Sequence, residues 1–286
     1  MSLSACEEEI YMELNEDQNR RIVVEGRITN EFKRHQIRIT ETSSYFRHEP
    51  APVPENVQAY ILEESTGMHY SLTKSLDSAS IFETDLMTGI VGDNYSLVIQ
   101  KDDQQYMATS HLDSLLRIDS LYYNYKLESF FGYTFGSYYI TISAFEPLPS
   151  GNFYKIDIYL NDTLITNRVD ESVYVDDFMI NGTFFDSLTI YGIPQEWITL
   201  ETNRIRVEAI SISEKEFDFI IELMTETFGG NSIFSGPPAN ISTNIINTSG
   251  GIDGVGFFGA SAKTVREIVV PKVHDPATNN DLIEHY

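Results

Sequence analysis

Six histidines, His35, His48, His69, His111, His274 and His285, are the first candidates for acid–base or metal chemistry. No two of them lie within four residues of each other, whereas a zinc site normally shows paired His or Cys spacing. Cys6 is the sole cysteine, so no intrachain disulfide can form. A hydrolase nucleophile would sit on a strained Gly-x-Ser-x-Gly turn, and the chain has none. Glycosidases set two carboxylates across a sugar. The adjacent acids Asp102-Asp103 and Asp176-Asp177 do not make such a pair, because neighbours on a strand point to opposite faces, and they read as solvated turn residues. The Gly-rich stretch Asn247–Gly254 lacks the lysine of a phosphate loop and the spacing of a dinucleotide fingerprint. The expectation is a protein that is not an enzyme, with no catalytic residues, no metal ligands and no cofactor.

The remaining chemistry is aromatic. The chain has 17 Tyr and 17 Phe. Tyr122, Tyr123, Tyr125 and Tyr138 fall in dense runs and are the candidate ligand-binding residues, since such rings stack on sugars or contact protein partners. They serve equally well as half-buried strand residues. Charge narrows the partners: 43 acids against 19 bases give a net charge of -24, spread along the chain rather than held in a tail. Nucleic acid needs clustered Lys and Arg, and an anionic lipid surface needs a basic patch, so neither is expected.

The elements that must position these residues are mostly strands. Ile22, Val24 and Gly26 alternate with Val23, Glu25 and Arg27, and the same period of two recurs at Ile37 and Ile39, Val57–Leu62, His69–Thr73, Asn94–Gln100 and Gln105–Ser110. Asp102-Asp103 marks a hairpin. This predicts a β-sandwich over 21–112, with the order of its elements resembling transthyretin-like, carboxypeptidase-regulatory domains. A second β-rich domain is expected over 113–286, with strands around Tyr138–Ala144, Ile156–Leu160, Phe184–Tyr191, Ile205–Ala209, Val255–Ser261 and Val265–Val270. At Ile210 and Ile212 the apolar parity flips, which predicts a bulge or the strand's end. One helix is predicted over 213–228: Ser213 and Glu216 form a capping box, and Phe217, Ile220, Ile221, Met224 and Phe228 make an apolar stripe. The fold class is therefore all-β, two sandwich domains (the first immunoglobulin- or transthyretin-like) with one helix packed on the second.

No run of 18 or more apolar residues exists that could cross a membrane as a helix. Leu3-Ser4-Ala5-Cys6 resembles a bacterial lipobox, in which the cysteine is lipidated after cleavage. Residues 1–20 are accordingly expected to comprise a signal remnant, the lipidation site Cys6 and an acidic tether. Glu7, Glu8 and Glu9 repel one another and suit an extended segment. Their position resembles the surface-export signal of Bacteroidetes lipoproteins.

Taken in order, Cys6 with Glu7 and Glu8, Val24-Glu25-Gly26-Arg27-Ile28-Thr29, Tyr95-Ser96-Leu97, Ser211-Ile212-Ser213 through the helix to Gly236-Pro237-Pro238-Ala239-Asn240-Ile241, Asn244-Ile245 and Gly256-Phe257-Phe258-Gly259-Ala260-Ser261 resemble one family of Bacteroidetes lipoproteins, domain of unknown function 4249, over nearly the whole chain. Arg27 departs from the aromatic residue of that pattern and reads as surface-facing. The resemblance implies an outer-membrane lipoprotein encoded beside TonB-dependent receptors. It implies no catalytic residues. The leading expectation is a non-enzymatic binding or accessory component of a TonB-dependent nutrient-uptake system. It would face the cell surface or the periplasm and touch the membrane only through its lipid, with a receptor partner and a small nutrient, glycan or peptide as cargo. The alternatives are a stand-alone glycan- or peptide-binding protein, on the tyrosine runs, and a carbohydrate-active hydrolase, on the acids alone.

Overall fold

The computed structural model describes residues 20–43, 50–169, 171–178, 181–229 and 241–273. Cys6, Glu7, Glu8, Glu9 and the Gly236-Pro237-Pro238 turn lie outside the described residues. The first seven strands are β1 (Ile22–Thr29), β2 (Gln36–Glu41), β3 (Val57–Glu63), β4 (Met68–Lys74), β5 (Ile81–Glu83), β6 (Asn94–Lys101) and β7 (Gln104–His111). They are followed by β8 (Arg117–Phe130), β9 (Tyr133–Phe145), β10 (Phe153–Leu160), β11 (Thr163–Leu164), β12 (Val173–Asp176), β13 (Phe184–Pro194) and β14 (Thr202–Ile212). The helix α1 (Glu214–Gly229) precedes β15 (Ile246–Asn247), β16 (Val255–Ser261) and β17 (Lys263–Pro271). The fold is all-β with one helix, as the alternation of the sequence predicts.

Nine strands form one curled sheet in the order β15-β7-β6-β3-β4-β5-β2-β1-β16. Its inner face is filled by the alternating apolar residues of those strands, among them Ile22, Val24, Ile37, Ile39, Ile61, Tyr95, Leu97 and Phe258. The β6–β7 hairpin turns at Asp102, whose φ of 50° is the left-handed conformation that a short Asp readily adopts. Two of the nine strands, β15 and β16, come from the far end of the chain. β16 runs parallel to β1 with Val24 opposite Gly256 and Arg27 opposite Gly259. A parallel pair needs a crossover connection, and here the whole middle of the chain supplies it. At Gly256, φ is +89° and a β-carbon would run into the Val24 carbonyl, so only glycine fits.

The other strands build a second core between two sheets. One has the order β11-β10-β14-β17, with β12 also on β10; the other is β13-β9-β8. Tyr138, Ile140 and Ile142 from β9 meet Tyr154, Ile156 and Ile158 from β10 and Ile205 and Val207 from β14. Of the two expectations for the parity flip at Ile210 and Ile212, the strand's end holds and the bulge does not, since β14 ends at Ile212. β14 stays in register with β10 through Ile212, and its outer face is apolar there because Ile220 of α1 covers it. Phe217 packs on Phe153 of β10 with ring centroids 4.9 Å apart, and Phe219 packs on Phe257 of β16 at 5.5 Å. The helix therefore lies across both the first sheet and the second sandwich.

The capping box forms in one direction only. The Glu216 amide donates to Ser213 Oγ at 3.2 Å, but the Glu216 carboxylate turns away to accept from Arg27. Arg27 is thus not the surface-facing residue its position suggests. Its side chain is 26% exposed and also donates to Ser261 Oγ, tying β1, β16 and α1 together.

Candidate ligand-binding surface

The three-stranded sheet β13-β9-β8 presents the four tyrosines on two faces, and the register decides which. Tyr123 pairs with Ile140 and Tyr125 with Tyr138, so these side chains share the inner face with the core, whereas Tyr122 pairs with Thr141 on the outer face. Tyr138 is 0% exposed. Its hydroxyl donates to the Pro271 carbonyl at 2.8 Å and accepts from the Val273 amide at 3.1 Å. Tyr123 and Tyr125 pack against its ring at 5.7 and 5.1 Å. Burial raises the hydroxyl pKa of both Tyr125 and Tyr138, which keeps them as neutral hydrogen-bonding groups. Tyr138 is therefore a core residue rather than a stacking surface, because a side chain closed off on all sides cannot meet a ligand. Tyr122 lies on the outer face, near Tyr139, over which Lys126 sits at 5.3 Å from the ring centroid. A hydrogen bond to Glu128 raises the Tyr139 hydroxyl pKa.

What the inner tyrosines position is a cleft. Tyr125 donates from its hydroxyl to Gln195 Oε1 at 2.7 Å, and Gln195 Nε2 donates to the Val273 carbonyl at 3.1 Å. These bonds and those of Tyr138 hold the short turn Gln195–Trp197 and the strand end at 271–273 against the hairpin. Between them opens a cleft of about 480 Å³, lined by Phe135, Gly136, Gln195, Glu196, Thr199 and Lys272 among others. A carboxylate, a hydroxyl-bearing Thr199 and an ammonium belong to the residues that line one cleft, a set suited to a small polar or zwitterionic molecule. The sequence signal for this cleft was weak. The tyrosine runs lie on the neighbouring hairpin, but none of those tyrosines lines the cleft, whose lining comes from three segments far apart in the chain.

Beyond the cleft the hairpin continues alone. β13 makes its last pairing at Pro194 with Ser137, while β8 and β9 stay paired out to Phe130 with Tyr133. Phe130 is 66%, Phe131 87% and Tyr133 79% exposed, and Leu127 and Phe135 are exposed as well.

The acids occupy structural places. Asp176 and Asp177 do point apart, but Asp177 is not a solvated turn residue. It is buried and accepts from the Gly151 and Asn152 amides and from the Asn152 side chain. Buried Glu146 accepts from Tyr154, Asn152 and the Gly182 amide. Of the histidines, His35 is buried with Nδ1 accepting from the Thr29 amide, His69 stacks on Tyr60 at 4.8 Å, and His111 pairs with Asn94. Among the described residues no group of three or more His, Cys, Asp or Glu side chains converges as metal ligands would.

Fold and surface together define a strand-rich protein with two cores, one bridging helix and an exposed aromatic hairpin end. Residues 7–267 match the family described as Domain of unknown function (DUF4249), and the chain belongs to that family. No curated protein matches the chain.

Proposed function

We propose that this protein is a non-enzymatic lipoprotein of the bacterial outer membrane, a binding or accessory component of a TonB-dependent nutrient-uptake system. The observation that supports it is the preorganised cleft. Its walls are fixed by the Tyr125–Gln195–Val273 and Tyr138–Pro271–Val273 hydrogen bonds, and Glu196 and Lys272 line it beside them. A rigid, mixed-polarity cleft serves capture, because little side-chain freedom is lost when a ligand enters. In this reading Cys6 carries the lipid, Glu7, Glu8 and Glu9 direct export, and a TonB-dependent receptor takes the cargo. The acidic surface keeps the protein soluble beside anionic membrane. The test is affinity capture from native outer membranes with mass spectrometry of the captured proteins and of Cys6. A co-purifying receptor and a diacylated or triacylated Cys6 are the expected results. An unmodified Cys6 and no outer-membrane receptor above background would overturn the reading.

A second reading is a stand-alone glycan- or peptide-binding protein. Tyr122 and Tyr139 on the outer face of the three-stranded sheet, with Lys126 over the Tyr139 ring, support it. Calorimetric titration with neutral oligosaccharides and short peptides separates it from the first, since it requires binding without any receptor.

A further inference from the structure

We infer that the tip of the β8–β9 hairpin, Leu127–Phe135, inserts into the interface of a lipid bilayer with electrically neutral headgroups, a membrane contact separate from any lipid on Cys6. The argument begins at the turn. Phe131 and Gly132 both have positive φ, 48° and 83°, which makes a two-residue turn of the kind that Asn-Gly or Asp-Gly fills. A phenylalanine in the left-handed region is disfavoured, and this one is also 87% exposed. Its ring packs edge-on against Phe130 with centroids 4.4 Å apart, a contact between two side chains that both stay open to solvent. A residue that breaks the local rule while exposing its ring marks a functional position.

The shape of the apolar crown selects the occupant. The register places Phe130, Tyr133 and Phe135 on one face of the hairpin, Leu127 on the other and Phe131 at the apex. A flat protein patch or a sugar chain would cover one face only. A bilayer surrounds the whole tip. The Ser129 and Thr134 hydroxyls of the crown are 3.1 Å apart and bond each other, so these two offer little to a glycan. At the base, Trp197 and Leu200 are exposed on the segment that shares the cleft with Phe135. Trp197 behind the apolar tip and Tyr133 within it match the aromatic residues of membrane interfaces. At this end Lys126 and Lys272 balance Glu128 and Glu196, so no basic patch draws anionic headgroups and the net charge of -24 opposes them, which is why a neutral surface is the partner.

The test uses the full chain carrying Cys6→Ser, so that neither lipidation nor a receptor takes part and its failure is distinct from that of the proposed function. Phosphatidylcholine vesicles are added, and co-sedimentation and the emission of Trp197 are read. The expected result is partition into the vesicles, little affected by salt, with a blue shift of Trp197. Each aromatic removed in Phe130→Ser, Phe131→Ser and Tyr133→Ser is expected to weaken partition by about tenfold, with thermal stability unchanged because these side chains are exposed. Wild-type protein that stays in the supernatant, binding only to vesicles containing phosphatidylglycerol, or equal binding by the Phe130→Ser/Phe131→Ser variant would each overturn the inference. So would loss of a captured outer-membrane protein in that variant when the wild type ignores vesicles, which would identify a protein as the occupant.

Discussion

Arg27 and Glu216 give the sharpest stability prediction. Arg27 donates to both Glu216 Oε1 and Ser261 Oγ, and the Glu216 side chain is 6% exposed. Glu216 Oε2 is buried without a hydrogen-bond partner, with a β-carbon on Gly259 placed only 2.9 Å from it. Among the described residues, the arginine is therefore the one countercharge paired with this carboxylate, which water barely reaches. Removing one member of a fully buried pair costs roughly 3–5 kcal/mol, because the other charge is stranded. Arg27 is a quarter exposed, and solvent screening lowers the expected loss for Arg27→Met to about 2–3 kcal/mol. Glu216→Gln should cost only about 1 kcal/mol, since the arginine can turn to water. The double variant has no stranded charge. It should be more stable than the sum of the singles implies, with a coupling energy of at least about 1 kcal/mol. Urea unfolding followed by Trp197 fluorescence and by far-ultraviolet circular dichroism measures all four proteins and checks that both cores unfold together. A loss below about 0.5 kcal/mol for Arg27→Met, or strict additivity in the double variant, would refute the assignment of this pair as a buried clamp.

Three further outcomes follow from single sites. Tyr138→Phe removes the hydroxyl that serves Pro271 and Val273 and leaves the Val273 amide unpaired, so unfolding free energy should fall by about 1–3 kcal/mol; an unchanged urea midpoint would contradict it. Gly256→Ala must adopt φ of +89° and push against the Val24 carbonyl, so a loss above about 2 kcal/mol is expected, read as a lower thermal midpoint. Burial, with Lys33 nearby, lowers the His35 pKa from 6.5 to about 4. The unfolded chain then binds the proton first, so the stability from the neutral ring is complete above pH 6.5 and lost as pH falls toward 4. Wild type should lose about 2 kcal/mol between pH 7 and pH 5, and His35→Gln should flatten that slope. Glu31 does not blur this window. Burial would raise its pKa, but hydrogen bonds from Lys33 and Lys263 outweigh that and bring it to about 2, so its contribution fades only below pH 4.5.

The legible parts of the fold were local. Alternation placed β1, β2, β3, β6 and β7 because each strand's inward residues meet one core, and the Asp102-Asp103 turn joined two of them. Ser213 announced the helix start through a contact three residues long. The parallel β1–β16 pair was not legible, since its partners lie more than 200 residues apart and no local pattern records the pairing. The same limit hid the Arg27 partner, which comes from α1, and the cover over Ile210 and Ile212, whose second apolar face is explained only by Ile220. For the tyrosines the residue types were informative but the face was not. A bulge in β8 between Ile118 and Ser120 shifts the parity, so composition could not tell inward Tyr123 and Tyr125 from outward Tyr122.

Among the described residues, several of the segments that carry the family resemblance meet at one place. Val24–Thr29 lies beside Gly256–Ser261, and Arg27 joins both to α1. Asn244 brackets Phe258, donating to its carbonyl at 2.7 Å and accepting from its amide at 3.0 Å. Ser211 accepts from the Ala262 amide at 2.8 Å and donates to the Asp113 carbonyl at 3.2 Å, which stitches the passage from β16 to β17 onto β14. Lys263, one residue on, pairs with Glu31 and Glu208 at 3.2 and 3.0 Å. These motifs thus specify a junction: they hold the nine-stranded sheet, the helix and the second sandwich in register. The cleft and the aromatic tip are built from residues 125–138, 195–200 and 271–273, none of which belongs to a motif segment. A change of side chain in the hairpin or its neighbouring turn therefore leaves the hydrogen bonds and ion pairs of the junction in place.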